Sequence, residues 1–159
     1  MLADDWCVAD DPDYIDAWGS LLRIEAVVVA AIEQELKQHG EISLTWYDVL
    51  LVLDKAPEKR GRMSEIADRI VLSRSALTRS IDRLEAEGYL KRERCGHDER
   101  GAYATMTKKG VRALAKARPV YWAGIKKHFA SSLTHAEISE LERILQKVLT
   151  AFATRSDSR

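Results

Sequence analysis

Residues Ser64–Leu90 read SEIADRIVLSRSALTRSIDRLEAEGYL, and this stretch decides the fold of the 159-residue chain. Ile66, Ala67 and Ile70 recur at helical steps and predict a short helix over Ser64–Val71. Ser73 is placed as the N-cap of a second helix, about Arg74 to Glu87, which buries Leu77, Ile81 and Leu84. Gly88 follows as the residue that lets the chain leave that helix in a left-handed turn. Only Val71-Leu72 separates the two. A short helix, a tight join and a second helix form a helix-turn-helix candidate.

The flanks extend this core. After Gly88, Tyr89–Arg94 and Ala102–Thr107 alternate apolar and polar residues around a glycine-bounded polar tip, Cys95–Gly101, which predicts a β-hairpin. Before it, Leu44–Asp54 reads as a helix around Trp46, Val49, Leu50 and Leu53, and Lys55–Gly61 reads as a connecting loop. From Tyr14 to about His39 apolar residues recur every three or four positions, up to a stop at Gly40. The helical pattern resumes at Lys108 and runs towards Ser131, with an expected kink at Pro119. Thr134-His-Ala-Glu137 has the spacing of a capping box and opens a last helix to about Ala153. The fold class is therefore mainly α with a small β-hairpin wing. A winged helix-turn-helix over 44–107 is flanked by helical regions at 14–43 and 108–153, with tails at 1–13 and 154–159. A lone chain could hardly cover the apolar stripes of both terminal helices, so they are expected to pair in a symmetric homodimer.

Composition narrows the function. With 46% apolar and 31% charged residues the chain is an ordinary globular one, not a disordered or fibrous one. The longest aliphatic run, Ala26–Ile32, falls far short of the ~20 residues of a bilayer span, so no membrane partner is expected. The acidic N-terminus does not resemble a signal peptide. Two cysteines without a framework fit a reduced, cytoplasmic setting. The formal net charge is zero, yet Lys55–Arg118 holds 17 basic and 9 acidic residues, a net of +8, and the remainder carries −8. Such a split fits a basic working surface on an acidic frame.

That surface has the chemistry of a DNA reader. With Leu77, Ile81 and Leu84 inward, the second helix shows Arg74, Ser75, Thr78, Arg79 and Asp82 outward, and Ser73 sits at its start. Arginine can hold guanine through two hydrogen bonds, hydroxyls reach phosphates or base edges, and the helix N-terminus attracts phosphate. Arg60 and Arg62 are candidate phosphate contacts before the motif, as are Lys91, Arg92 and Arg94 on the wing. The stretch Ser64–Leu90, with Asp98-Glu-Arg100-Gly101 and Thr105-Met-Thr-Lys-Lys-Gly110, resembles the MarR family of transcriptional regulators over roughly residues 14–153. The resemblance implies that Arg100 enters a minor groove, that Asp98 fixes the wing loop, and that the partner is double-stranded DNA in the form of a roughly palindromic operator. It also implies repression, and release by a small phenolic or aromatic-acid effector bound between the terminal helices and the winged helix.

Trp18, Trp46, Tyr47 and Asp48 lie where such a pocket could form, although their helical spacing also suits plain core packing. Asp48 after an aromatic pair resembles the urate-responsive branch of the family. That branch carries an arginine where this chain has Ser80, which argues against urate. Cys7 in its acidic tail and Cys95 beside Arg94 and His97 are the two candidates for an oxidant sensor, with an inert thiol as the alternative. His39, His97, His128 and His135 are scattered and make no zinc ligand set. No cofactor is expected. No nucleophile motif or phosphate loop points to an enzyme. The basic segment and Arg100 speak against a winged helix used only for protein contact.

Overall fold

The computed structural model describes residues 13–70, 74–95 and 98–156, and the side chains of all of these but 74, 94, 95, 98–102 and 153–156. Its elements are α1 (Asp13–Gln38), α2 (Leu44–Lys55), β1 (Arg60–Arg62), α3 (Met63–Arg69), α4 (Arg74–Ala86), β2 (Leu90–Cys95), β3 (Asp98–Met106), α5 (Lys108–His128) and α6 (His135–Ser156). The fold is a winged helix-turn-helix, with α3 and α4 as its helix pair and the strands as its wing. Among the described residues no helix is long and apolar enough to cross a membrane.

Local chemistry sets the helix ends. At Gly40, φ is +67°, a conformation that costs glycine little. Its N–H bonds the Lys37 carbonyl at 3.1 Å, and the Glu41 N–H bonds that of Leu36 at 2.9 Å, which satisfies two orphan carbonyls of α1. Gly88, at +74°, ends α4 in the same way. The expected capping box is present: the Glu137 N–H donates to Thr134 Oγ1 at 3.3 Å, and the Thr134 N–H donates to Glu137 Oε2 at 2.7 Å. α5 runs unbroken through Pro119 and stops at His128; a 3-10 turn at Ala130–Ser132 occupies the end of the expected helix.

Two expectations need correction. The wing's hairpin, β2 and β3, is extended by a third strand into an antiparallel sheet in the order β1-β3-β2. The expected loop Lys55–Gly61 becomes a 3-10 turn at Pro57–Lys59 and then the strand β1, whose Arg60, Gly61 and Arg62 pair with Thr105, Ala104 and Tyr103. Glu58 and Lys59, both near φ +55°, turn the chain into that pairing without a glycine to advertise it. The wing tip is also shorter than expected. β2 continues to Cys95 and β3 starts at Asp98, so Arg100 belongs to a strand and not to a loop.

The core centres on α2. Tyr47, Val49, Leu50 and Leu53 are buried against Leu36 of α1, Ile66 of α3, Ile81 and Leu84 of α4 and Leu114 of α5. One face of the sheet closes the core through Gly61, Leu90, Ala104 and Met106. Asp54 of α2 accepts from Arg118 of α5 at 2.9 Å and also pairs with Lys59. In contrast, α6 lies against none of the other long elements to any extent. Its Ile144, Val148, Leu149 and Phe152 stand exposed, as do Tyr14, Ile15, Trp18 and Val27 of α1.

Thr107 joins the turn after α4 to the start of α5. Thr107 caps α5 by accepting from the Gly110 N–H at 3.2 Å, and its hydroxyl donates to the Gly88 carbonyl at 2.7 Å. Its own N–H donates to the Tyr89 carbonyl at 3.0 Å. A Cβ on Gly110 would sit 2.2 Å from that carbonyl oxygen and 2.8 Å from Met106 Cγ. A backbone oxygen cannot yield as a side chain can. Gly110→Ala is therefore expected to destabilise the protein by about 3 kcal/mol, the upper range for overpacking, measured as a shift of the urea unfolding midpoint.

Candidate nucleic-acid interface

α4 carries many of the residues expected at a DNA surface. Leu77, Ile81 and Leu84 anchor it in the core, and Ser75, Thr78, Arg79, Asp82 and Arg83 are exposed on its outer side. Arg79 makes no ion pair among the described residues, so its guanidinium donors face outward unspent. Arg74 opens the helix, while Ser73, Cys7 and His97 lie outside the described residues. Arg94 pairs with Ala102 across the wing, Asp98 pairs with Cys95, and Arg100 lies two residues further along β3.

The outer face of the sheet is built by register. Arg62, Tyr103 and Glu93 form one cross-strand row, and Arg60, Thr105 and Lys91 form the next. The Tyr103 ring is near both arginines, with Arg60 Cζ 4.2 Å and Arg62 Cζ 5.2 Å from its centre. Arg62 Nε also donates to the Tyr103 hydroxyl at 2.7 Å. Arg60 Nε lies 3.3 Å from Glu93 Oε2. Tyr103 thus orders two cations just ahead of α3, a role that was not read from the sequence. The alternation around Thr105 was its one available signal. Arg92, expected among the outward wing cations, instead turns to the opposite face and bonds α4, with its N–H donating to Glu85 Oε1 at 2.8 Å.

The four residues expected to line one ligand pocket are not brought together. Trp18 is 59% exposed on the outer part of α1. Tyr47 is core, its ring centre 4.3 Å from that of Tyr121. Trp46 packs at 5.6 Å on Tyr89 and lines a cleft of about 510 Å³ with Arg83 and Lys116. Asp48 opens on the other side of α2 into a cleft of about 880 Å³ between α1, α2 and α3. Apolar Ala26, Val29, Leu44 and Val52 line that cleft, with Glu25, Glu33, Lys55 and Arg69. The Glu33 carboxylate accepts the Leu44 N–H at 2.6 Å. Burial, and then the charge of Glu33, push the Asp48 carboxyl up to about 6.

The chain is similar to known proteins over most of its length. The MarR family model matches residues 41–101. The chain is 34% identical over 115 residues to the uncharacterized HTH-type transcriptional regulator YkoM of Bacillus subtilis, an alignment covering 72% of this chain and 71% of that one. It is 29% identical over 115 residues to the transcriptional repressor MprA of Escherichia coli, covering 72% of this chain and 64% of the other. Among solved structures, the MarR family regulator Sco3205 of Streptomyces coelicolor in complex with DNA superposes with a TM-score of 0.79 at 25% identity, covering 89% and 92% of the two chains.

The raised Asp48 group has a consequence for stability. Its ionised form is disfavoured only in the folded state, so the penalty is absent well below the unfolded value of 3.8, grows between that value and about 6, and is complete above it. Asp48→Asn should thus stabilise the protein at pH 7 by about 1–2 kcal/mol after allowance for solvent screening. The gain should vanish as the pH falls to about 3, as followed by thermal unfolding across that range.

Proposed function

The chain belongs to the MarR family of transcriptional regulators, and we propose that it works as a homodimeric repressor of a pseudo-palindromic operator, its own promoter included. The observation that carries this reading is α4, held by Leu77, Ile81 and Leu84 so that Ser75, Thr78 and Arg79 face outward. Beside it Tyr103 orders Arg60 and Arg62 on the sheet. Ser75, Thr78 and Arg79 would meet a major groove, with Ser73 and Arg74 at the helix start. Arg94, Asp98 and Arg100 would serve the wing, with Arg100 in the minor groove. Two copies would place their α4 helices about one helical turn apart.

The apolar residues exposed on α1 and α6 support the dimer, since a second copy offers each the same faces in return. An aromatic-acid effector finds an aromatic ring and a cation together in the cleft at Trp46, where Tyr89 and Arg83 also line the wall, whereas the Asp48 cleft sets three carboxylates against Lys55 and Arg69.

Fluorescence anisotropy tests the reading, using duplex from directly upstream of this chain's gene and a shuffled duplex as control. Selective binding that weakens steeply with added salt is expected. Arg79→Ala should weaken the specific complex about tenfold or more, the value of a lost bidentate base contact. Equal, weak binding to both duplexes would count against an operator at that place. Sedimentation equilibrium should give the mass of two chains, and Leu149→Arg should shift it towards one.

A further inference from the structure

The outward side of α4 does not stay basic. Ser75, Thr78, Asp82 and Glu85 follow at steps of three and four residues, so all four share one flank of the helix. Its second half therefore brings two carboxylates to the element that meets a polyanion. Strand β2 answers them. Alternation sends Lys91 and Glu93 to the outer face of the sheet and Arg92 to the face of Leu90 and Met106, which packs towards α4. There the Arg92 guanidinium pairs with Asp82, and its Nε lies 3.7 Å from Glu85 Oε2. The Arg92 N–H donates to the other oxygen of Glu85 at 2.8 Å. The guanidinium is thus spent on the protein's own carboxylates.

We propose that Arg92 is a charge-masking positioning residue: it neutralises Asp82 and Glu85 on the DNA-facing flank of α4 and, by the same bonds, pins the wing strand to that helix. The proposal rests on the DNA-binding reading above. An arginine that masks carboxylates differs from one that grips phosphate in two measurable ways. Its loss exposes repulsion, which can be cured by removing the carboxylates. And its loss releases no counterion fewer on binding, so the salt dependence keeps its slope.

The test compares the wild type, Arg92→Gln and the triple variant Asp82→Asn/Glu85→Gln/Arg92→Gln on the upstream duplex and on a random-sequence duplex, by anisotropy over a salt series. Arg92→Gln should bind both duplexes about tenfold more weakly, the cost of uncompensated like charge at an interface. Its slope of log affinity against log salt should match the wild type, rather than falling by the ~0.9 that one lost phosphate contact gives. The triple variant should return to wild-type affinity or above. Should Arg92→Gln fail to fold in a melting scan, Arg92→Lys keeps the charge and should bind like the wild type, and a loss there would overturn the assignment. It is equally overturned if Arg92→Gln binds normally, if the slope falls, or if the triple variant stays as weak as the single one. Wild-type protein that binds neither duplex would sink the DNA-binding reading as well. Wild-type binding with any of the other failures sinks only the role of Arg92.

Discussion

The contact between Thr107 and the Gly88–Tyr89 turn governs the geometry of the reading head. At that place the end of α4, the start of β2, the end of β3 and the start of α5 converge within hydrogen-bond distance. Thr107 has three roles: its hydroxyl caps α5 by accepting from the Gly110 N–H, its own N–H donates to the Tyr89 carbonyl where the wing closes, and its hydroxyl donates to the Gly88 carbonyl in the turn after α4. Gly110 is part of the same constraint, since only a residue without a Cβ lets α5 approach the Tyr89 carbonyl so closely. Because α5 also holds Asp54 of α2 through Arg118, and α1 through Lys127 and His128 on Glu35, the orientation of α4 is referred to the whole helical frame.

Charge is distributed with a similar economy. The basic middle of the chain does not simply point at solvent. Arg60 and Arg62 are ordered on Tyr103, Arg118 and Lys59 meet Asp54, and Lys116 meets a Glu41 carboxylate that is only 8% exposed. Arg79, on the outer side of α4, makes no ion pair among the described residues. Net charge read along a sequence therefore overstates how many cations a partner would meet.

The helices and their ends were legible because periodicity and caps are local signals. Leu77, Ile81 and Leu84 named the buried face of α4, Gly40 and Gly88 named two stops, and Thr134-x-x-Glu137 named the last start. What escaped was non-local. β1 is three residues of Arg-Gly-Arg with no alternation to detect, and it is a strand only because β3 offers it an edge. Trp46, Tyr47 and Asp48 are neighbours in sequence, but a helix turns successive side chains by about 100°, so they face a cleft, the core and another cleft. Likewise Lys91 and Arg92 look like one basic patch until the strand sends them to opposite faces.

α6 adds little to the packing of its own chain, and this separates two kinds of evolutionary freedom. Residues of the central body are bound by close packing, where most changes carry a penalty. Ile144, Val148 and Leu149 stand exposed on α6 and are constrained mainly by whatever covers them. If a second copy does so, the choice of mate can drift without altering which duplex is read. Duplicated genes with this architecture could then diverge first in whom they pair with, and so stop poisoning one another's dimers, before either acquires a new operator.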